Sequence, residues 1–94
     1  MNKTYISIPI TGKDIEEQKN KAEQIKSKIP NSVSPFDIVE DTGQSYGYFM
    51  GKDIQYIIDN CDTIYLCKGW EKSRGCILEY CASRIYGINI IKEQ

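Results

Sequence analysis

The chain predicts an α/β domain: a small three-layer, flavodoxin-like or Rossmann-like parallel sheet with strand order 2-1-3-4 and helices on both faces. Three observations carry this expectation. β-type runs and helical patterns alternate along the chain, as they do in parallel strand–helix–strand units. The strand candidates are short, nearly continuous apolar runs, the form taken by strands buried on both faces. The length, 94 residues, suits one small domain with a single core, so residues 1–94 are read as one domain.

Residues 4–8 form a β-type run that Pro9 and Gly12 break. Asp14 and Glu17 then have capping-box spacing. From there to about Lys28, Ile15, Ala22, Ile25 and Ile29 recur at helical spacing. Pro30 stops this first helix. Residues 33–39, interrupted by Pro35, read as an edge strand, and residues 40–49 as a loop with the character of a lid or binding wall. A second helix is expected over residues 50–61, with Met50, Ile54, Ile57, Ile58 and Cys61 in one stripe. Residues 62–67 are a strand and residues 68–74 a polar loop. In the third helix Ile77, Leu78, Cys81, Ala82 and Ile85 make the expected buried face, with Gly87 as its cap. Residues 88–91 are the last strand. Right-handed crossovers then set the loops at residues 9–13 and 68–74 facing each other at the sheet's switch point, where ligands bind in such folds.

Composition excludes several function classes. Net charge is −1 with acids and bases mixed, against the basic stripe a nucleic-acid binder needs. No apolar run reaches the roughly 18 residues of a membrane helix, and the N-terminus lacks a signal peptide's apolar stretch. A cytoplasmic location with reduced thiols is expected. The sequence has no histidine, which removes Ser-His and Cys-His nucleophile systems. Cys61, Cys67, Cys76 and Cys81 contain no Cys-x-x-Cys pair, so they read as core thiols rather than a metal site. No cofactor is implied. Acid–base chemistry is left to carboxylates, tyrosines, lysines or thiols.

Two carboxylates stand out. At about 100° per residue, Glu79 falls about 130° from the centre of the third helix's apolar stripe. It reads either as a surface glutamate or as an ionised carboxylate, held by the helix dipole and aimed at the crevice. Asp53 falls about 80° from the centre of its own stripe, at the border. Ser73, Arg74 and Gly75 at a helix start form either an anion-binding turn or a Ser-capped solvated one.

Taken together these residues resemble a family. Tyr5-Ile6-Ser7-Ile8-Pro9-Ile10-Thr11-Gly12, then Met50-Gly51-Lys52-Asp53, then residues 61–66, then Gly69-Trp70-Glu71-Lys72-Ser73-Arg74-Gly75 with Glu79, are similar to the small uncharacterised DUF4406-type family. That family is related to nucleoside 2-deoxyribosyltransferases and 2′-deoxynucleoside 5′-phosphate N-hydrolases. The resemblance covers nearly the whole chain. It implies that Glu79, in Gly-x-x-x-Glu, is the nucleophile, that Asp53 binds the sugar or assists Glu79, and that Ser73 meets the 5′ end of a nucleotide. The family's usual first-loop glycine is Ile8 here, and the C-terminal segment that completes a neighbouring subunit's site in the transferases has no counterpart before Gln94.

The resulting expectation is an N-glycosidase or deoxyribosyltransferase-like enzyme acting on a (deoxy)nucleoside or its 5′-monophosphate. Glu79 and Asp53 are its catalytic candidates. Ser7, Pro9, Thr11, Gly12, Trp70, Ser73, Arg74 and Gly75 are the substrate-binding candidates, with Trp70, Tyr46 or Tyr48 available to stack on a base. The alternatives are a non-catalytic nucleotide-binding or sensing module with the same pocket, and a protein-interaction module. Small size and the resemblance both imply a homo-oligomer, dimer or tetramer. No nucleic-acid or membrane partner is expected.

Overall fold

The computed structural model describes residues 2–38 and 43–94. Four strands, β1 (Thr4–Ser7), β2 (Ser32–Val33), β3 (Thr63–Leu66) and β4 (Asn89–Lys92), form one sheet in the order β2-β1-β3-β4. All three pairings are parallel, with Tyr5 opposite Val33 and Ile64, and Ile64 opposite Ile90. The helices are α1 (Ile15–Lys28), α2 (Pro35–Ile38), α3 (Tyr46–Asn60) and α4 (Arg74–Ile85), with a 3-10 turn at Trp70–Lys72. The expected class and strand order are therefore present.

Alternation along β1 divides the core. Tyr5 packs with Ile64 and Leu66 of β3, Ile57 of α3, and Cys61 at that helix's end; Tyr80 of α4 and Ile90 join them. Ile6 and Ile8 pack with Cys67 and with Ala22 of α1 on the opposite face. Helices thus cover both faces of the sheet, the arrangement that lets β1 be buried throughout.

Local chemistry explains where each helix starts. Asp14 caps α1 by accepting from the Glu17 N–H at 3.2 Å, as its spacing predicts. The α3 helix begins four residues before the expected Met50, because the Ser45 hydroxyl accepts from the Tyr48 N–H at 3.1 Å and starts it there. Tyr46, Tyr48 and Phe49 are therefore helical rather than loop residues.

The edge strand also differs from expectation. β2 ends at Val33, and Pro35 opens a short helix instead of interrupting a strand. The reason lies in Ser-Pro-Phe-Asp: Asp37 Oδ2 accepts from the Ser34 N–H at 2.9 Å, and proline suits a first helical position. Lys26 of α1 fixes that carboxylate at 2.8 Å and holds it below the usual range against the opposing effect of burial. Val39, the end of the expected strand, and residues 40–42 of the expected loop lie outside the described residues. No helix among the described residues is long and apolar enough to cross a membrane.

The α4 helix departs most from expectation. Its buried residues are Cys76, Glu79 and Ser83, whereas Ile77, Leu78, Cys81 and Ile85 are exposed. The helix is rotated so that its more polar face meets the sheet. Hydrogen bonds to β1 and within α4 account for this orientation.

Candidate active site

Tyr5 and Ser7 lie two apart on β1, so their side chains leave the same face of the sheet. Glu79 of α4 sits directly above them. The Tyr5 hydroxyl donates to Glu79 Oε2 at 2.8 Å and the Ser7 hydroxyl to Oε1 at 2.7 Å. One turn later, Ser83 Oγ donates to the Glu79 backbone carbonyl at 2.8 Å. Glu79 is only 3% exposed, and Tyr5, Ser7 and Ser83 are fully buried. Each carboxylate oxygen thus has a hydroxyl donor, as a carboxylate buried in a central position requires.

A cavity of about 480 Å³ opens beside this carboxyl, within the size range of small-molecule sites. Its walls come from the segments that follow β1 and β2 and from the starts of α3 and α4. Glu79, Asp53, Ser73 and Thr11 supply carboxyl and hydroxyl groups; Phe36, Phe49 and Tyr46 supply aromatic surface. Lys19 of α1 also lines it, its ammonium 5.9 Å from the Phe36 ring centre. Gly75 marks a close approach of α3 and α4. A Cβ there would lie 3.2 Å from the Tyr46 hydroxyl and 3.3 Å from Met50 Sδ.

Burial governs the electrostatics. It pushes the Glu79 carboxyl up to about 8, aided by the nearby charge of Asp53 and opposed by the Ser7 and Tyr5 hydroxyls. Asp53, 6% exposed, is pushed up to about 7 by burial, with the Tyr5 hydroxyl opposing. Burial opposes the helix dipole expected to keep Glu79 ionised. Glu79 is the sixth residue of α4, beyond the first turn where the dipole acts strongly, so desolvation dominates. Near neutral pH the pair retains at least one proton, and the two groups titrate as a unit. Burial also raises the Cys76 thiol, so a neutral thiol lines the cavity.

The expected substrate-binding residues separate into groups. Thr11, Ser73 and Gly75 line the cavity with both carboxyls. Ser7 lies beneath it, bonded to Glu79. Ser73 also caps α4, its hydroxyl accepting from the Cys76 N–H at 3.3 Å. Pro9, Gly12, Trp70 and Arg74 do not line it. Pro9 is buried and its carbonyl accepts from Gln18 Nε2; Gly12 is an exposed turn residue with φ 79°; Arg74 is exposed at the start of α4.

Trp70 packs against the Tyr80 ring at 4.9 Å, under the Lys92 ammonium, and belongs to the core rather than to a stacking wall. The two facing loops meet rather than enclose the cavity between them: a Cβ on Gly69 would lie 3.7 Å from Pro9 Cγ. Of residues 68–74 only Ser73 reaches the cavity.

Tyr5 is the most consequential of the site residues that sequence reasoning missed. Its signal was the alternation of hydroxyl groups, Tyr5 and Ser7, on one face of a strand expected to be buried. Lys19 and Phe36 were missed because one lies mid-helix and the other in a segment read as an edge strand.

The family model described as a domain of unknown function (DUF4406) matches residues 2–92 of the chain. No curated protein matches it.

Proposed function

The chain belongs to this DUF4406 family, and we propose that it is an N-glycosidase or deoxyribosyltransferase-like enzyme acting on a (deoxy)nucleoside or its 5′-monophosphate. The observation that carries the proposal is Glu79: a buried carboxyl, oriented by two hydroxyls, opening onto a cavity that also holds Asp53. Such a pair supplies both roles of a retaining glycosidase, nucleophile and proton donor. Glu79, once ionised, attacks C1′ as the C1′–N bond breaks. The base departs with that bond's electron pair and takes a proton from Asp53. Water, or a second base, then attacks C1′ and frees Glu79; the incoming group's proton returns to Asp53. The hydroxyls of Tyr5 and Ser7 fix the carboxylate's direction and favour its charged form, which offsets part of the burial cost. Phe36, Phe49 and Tyr46 offer apolar surface for a base. A cytoplasmic setting, where nucleotides abound and thiols stay reduced, suits this chemistry.

One observation favours the alternative of a nucleotide-binding module without turnover. Ile8, where the family's first loop usually has glycine, is 3% exposed and lines the cavity wall, restricting how closely a ligand can approach β1.

The deciding experiment incubates the purified protein with a panel of 2′-deoxynucleosides and their 5′-monophosphates, with chromatography for released base. Release that falls by about 10³-fold or more in Glu79→Ala, while ligand binding persists, is the expected outcome. Thermal stabilisation by a nucleotide without release would instead identify the binding module. Neither release nor stabilisation would sink both readings.

A further inference from the structure

The α4 helix turns an apolar stripe to solvent. Ile77, Leu78 and Ile85 are 38%, 48% and 77% exposed, and Tyr86 just beyond is 62% exposed. Cys81 is exposed in the same stripe. The inward face is fixed by Glu79 on β1, so no rotation of the helix can bury both faces in one chain.

Given about 150–250 Å² for a buried aromatic and about 60–120 Å² for a Leu or Ile side chain, the exposed fractions of these side chains present apolar surface on the order of 300 Å². A standard interface takes about 800 Å² from each partner, roughly 65% of it apolar in homodimers. The stripe therefore supplies most of the apolar core of one such interface.

The residues also point to the occupant. Arg84 does not interrupt the stripe: its guanidinium folds back along α4, donating to the Tyr80 hydroxyl at 3.1 Å and lying 5.9 Å from that ring's centre. Arg74, exposed at the N-terminal end of the same face, is its one charge. In a pairing centred on Cys81 it meets the partner's Ile88, so the stripe does not call for a partner of opposite charge. It does match itself. Ile77, Cys81 and Ile85 are spaced by four, forming one ridge of the kind that interdigitates with an identical ridge in the commonest helix packing. In an antiparallel pair centred on Cys81, Ile77 meets the partner's Ile85, and Arg84 meets the partner's Leu78, so no like charges are opposed. Such an arrangement is isologous and closes at two copies.

We propose that the outer face of α4 is the interface of a homodimer whose two-fold axis passes beside Cys81. Pairing covers the stripe and clamps the Glu79-bearing helix from outside, leaving the cavity on its inner side open.

Two measurements test this on the full chain. Sedimentation of the wild type at micromolar concentration is expected to show a dimer. A short bis-maleimide is expected to trap it as a covalent dimer that Cys81→Ser abolishes, because Cys61, Cys67 and Cys76 are buried. Leu78→Asp changes an exposed position, so circular dichroism should match the wild type while the dimer weakens by about 100-fold or more. A wild-type monomer overturns the proposal. So does a dimer that survives Leu78→Asp, or one that does not cross-link through Cys81. None of these outcomes depends on whether the protein releases a base.

Discussion

Tyr5 shows how one hydroxyl acts on the proposed chemistry. Burial raises the carboxyl of Glu79, and the Tyr5 and Ser7 hydroxyls pull in the opposite direction by bonding to its charged form. For an enzyme needing one ionised and one protonated carboxyl, kcat/KM should be bell-shaped in the region between about 7 and 8. It should rise with pH as the first proton leaves the pair and fall as the second leaves. Tyr5→Phe removes one donor. A hydrogen bond to a charged group contributes about 1.5–3 kcal/mol, so the acid limb should move upward by about one to two pH units. A pH–rate profile of the variant checks this; an unmoved limb would mean that Glu79 is not the titrating group. Glu79 and Asp53 were both legible as candidates, but their ionisation was not. Helical angle places Glu79 off the apolar stripe without saying which face meets the sheet, and desolvation depends on that answer.

At the scale of elements, helix starts are set by short polar signals. Ser45 begins α3 ahead of its apolar pattern, bringing Tyr46 and Phe49 to the cavity wall. Ser45→Ala should cost about 1 kcal/mol, lowering Tm by about 4–8 °C in a domain of this size. Thermal unfolding measures it, and no change would mean that this turn frays in solution. Periodicity located three main helices and the strands β1, β3 and β4 because strong patterns survive without neighbours. It failed on α4, where Ile77, Leu78 and Ile85 outweigh the residues that face inward. What holds that inner face is a contact with Tyr5 and Ser7, more than seventy residues earlier, and no local window contains it. It failed on β2 as well, where Ser34 and Asp37 close a helical turn across what seemed to be a strand.

The whole molecule bears the burden of its buried carboxyls. Both Glu79 and Asp53 have folded-state values raised above their ordinary ones, from 4.5 to about 8 and from 3.8 to about 7. Between those limits the native state holds protons that the unfolded chain has released. Stability therefore falls as pH rises from about 4 to about 8 and levels off above. At about 1.4 kcal/mol for each pH unit by which a carboxyl is raised, even part of this effect is a sizeable share of the roughly 5–15 kcal/mol holding a typical domain. Urea unfolding across this range should show the decline, and Glu79→Gln should flatten it, leaving the variant more stable than the wild type near pH 8. A wild-type stability that rises over the same range would contradict a buried, proton-retaining pair. Architecture at this scale was read correctly from the chain: parallel strands, their order, and helices on both faces.

Gly75 has a consequence for the aperture of the cavity. A methyl group at this position presses on the Tyr46 hydroxyl and the Met50 sulfur. Tyr46 is half exposed, and its ring is free to swing aside while the thioether bends. Because Tyr46 lines the cavity, Gly75→Ala works as a shim between two helix ends. It resizes the doorway and leaves the carboxyl pair beyond it untouched, so admission of ligands can be altered separately from what happens to them inside.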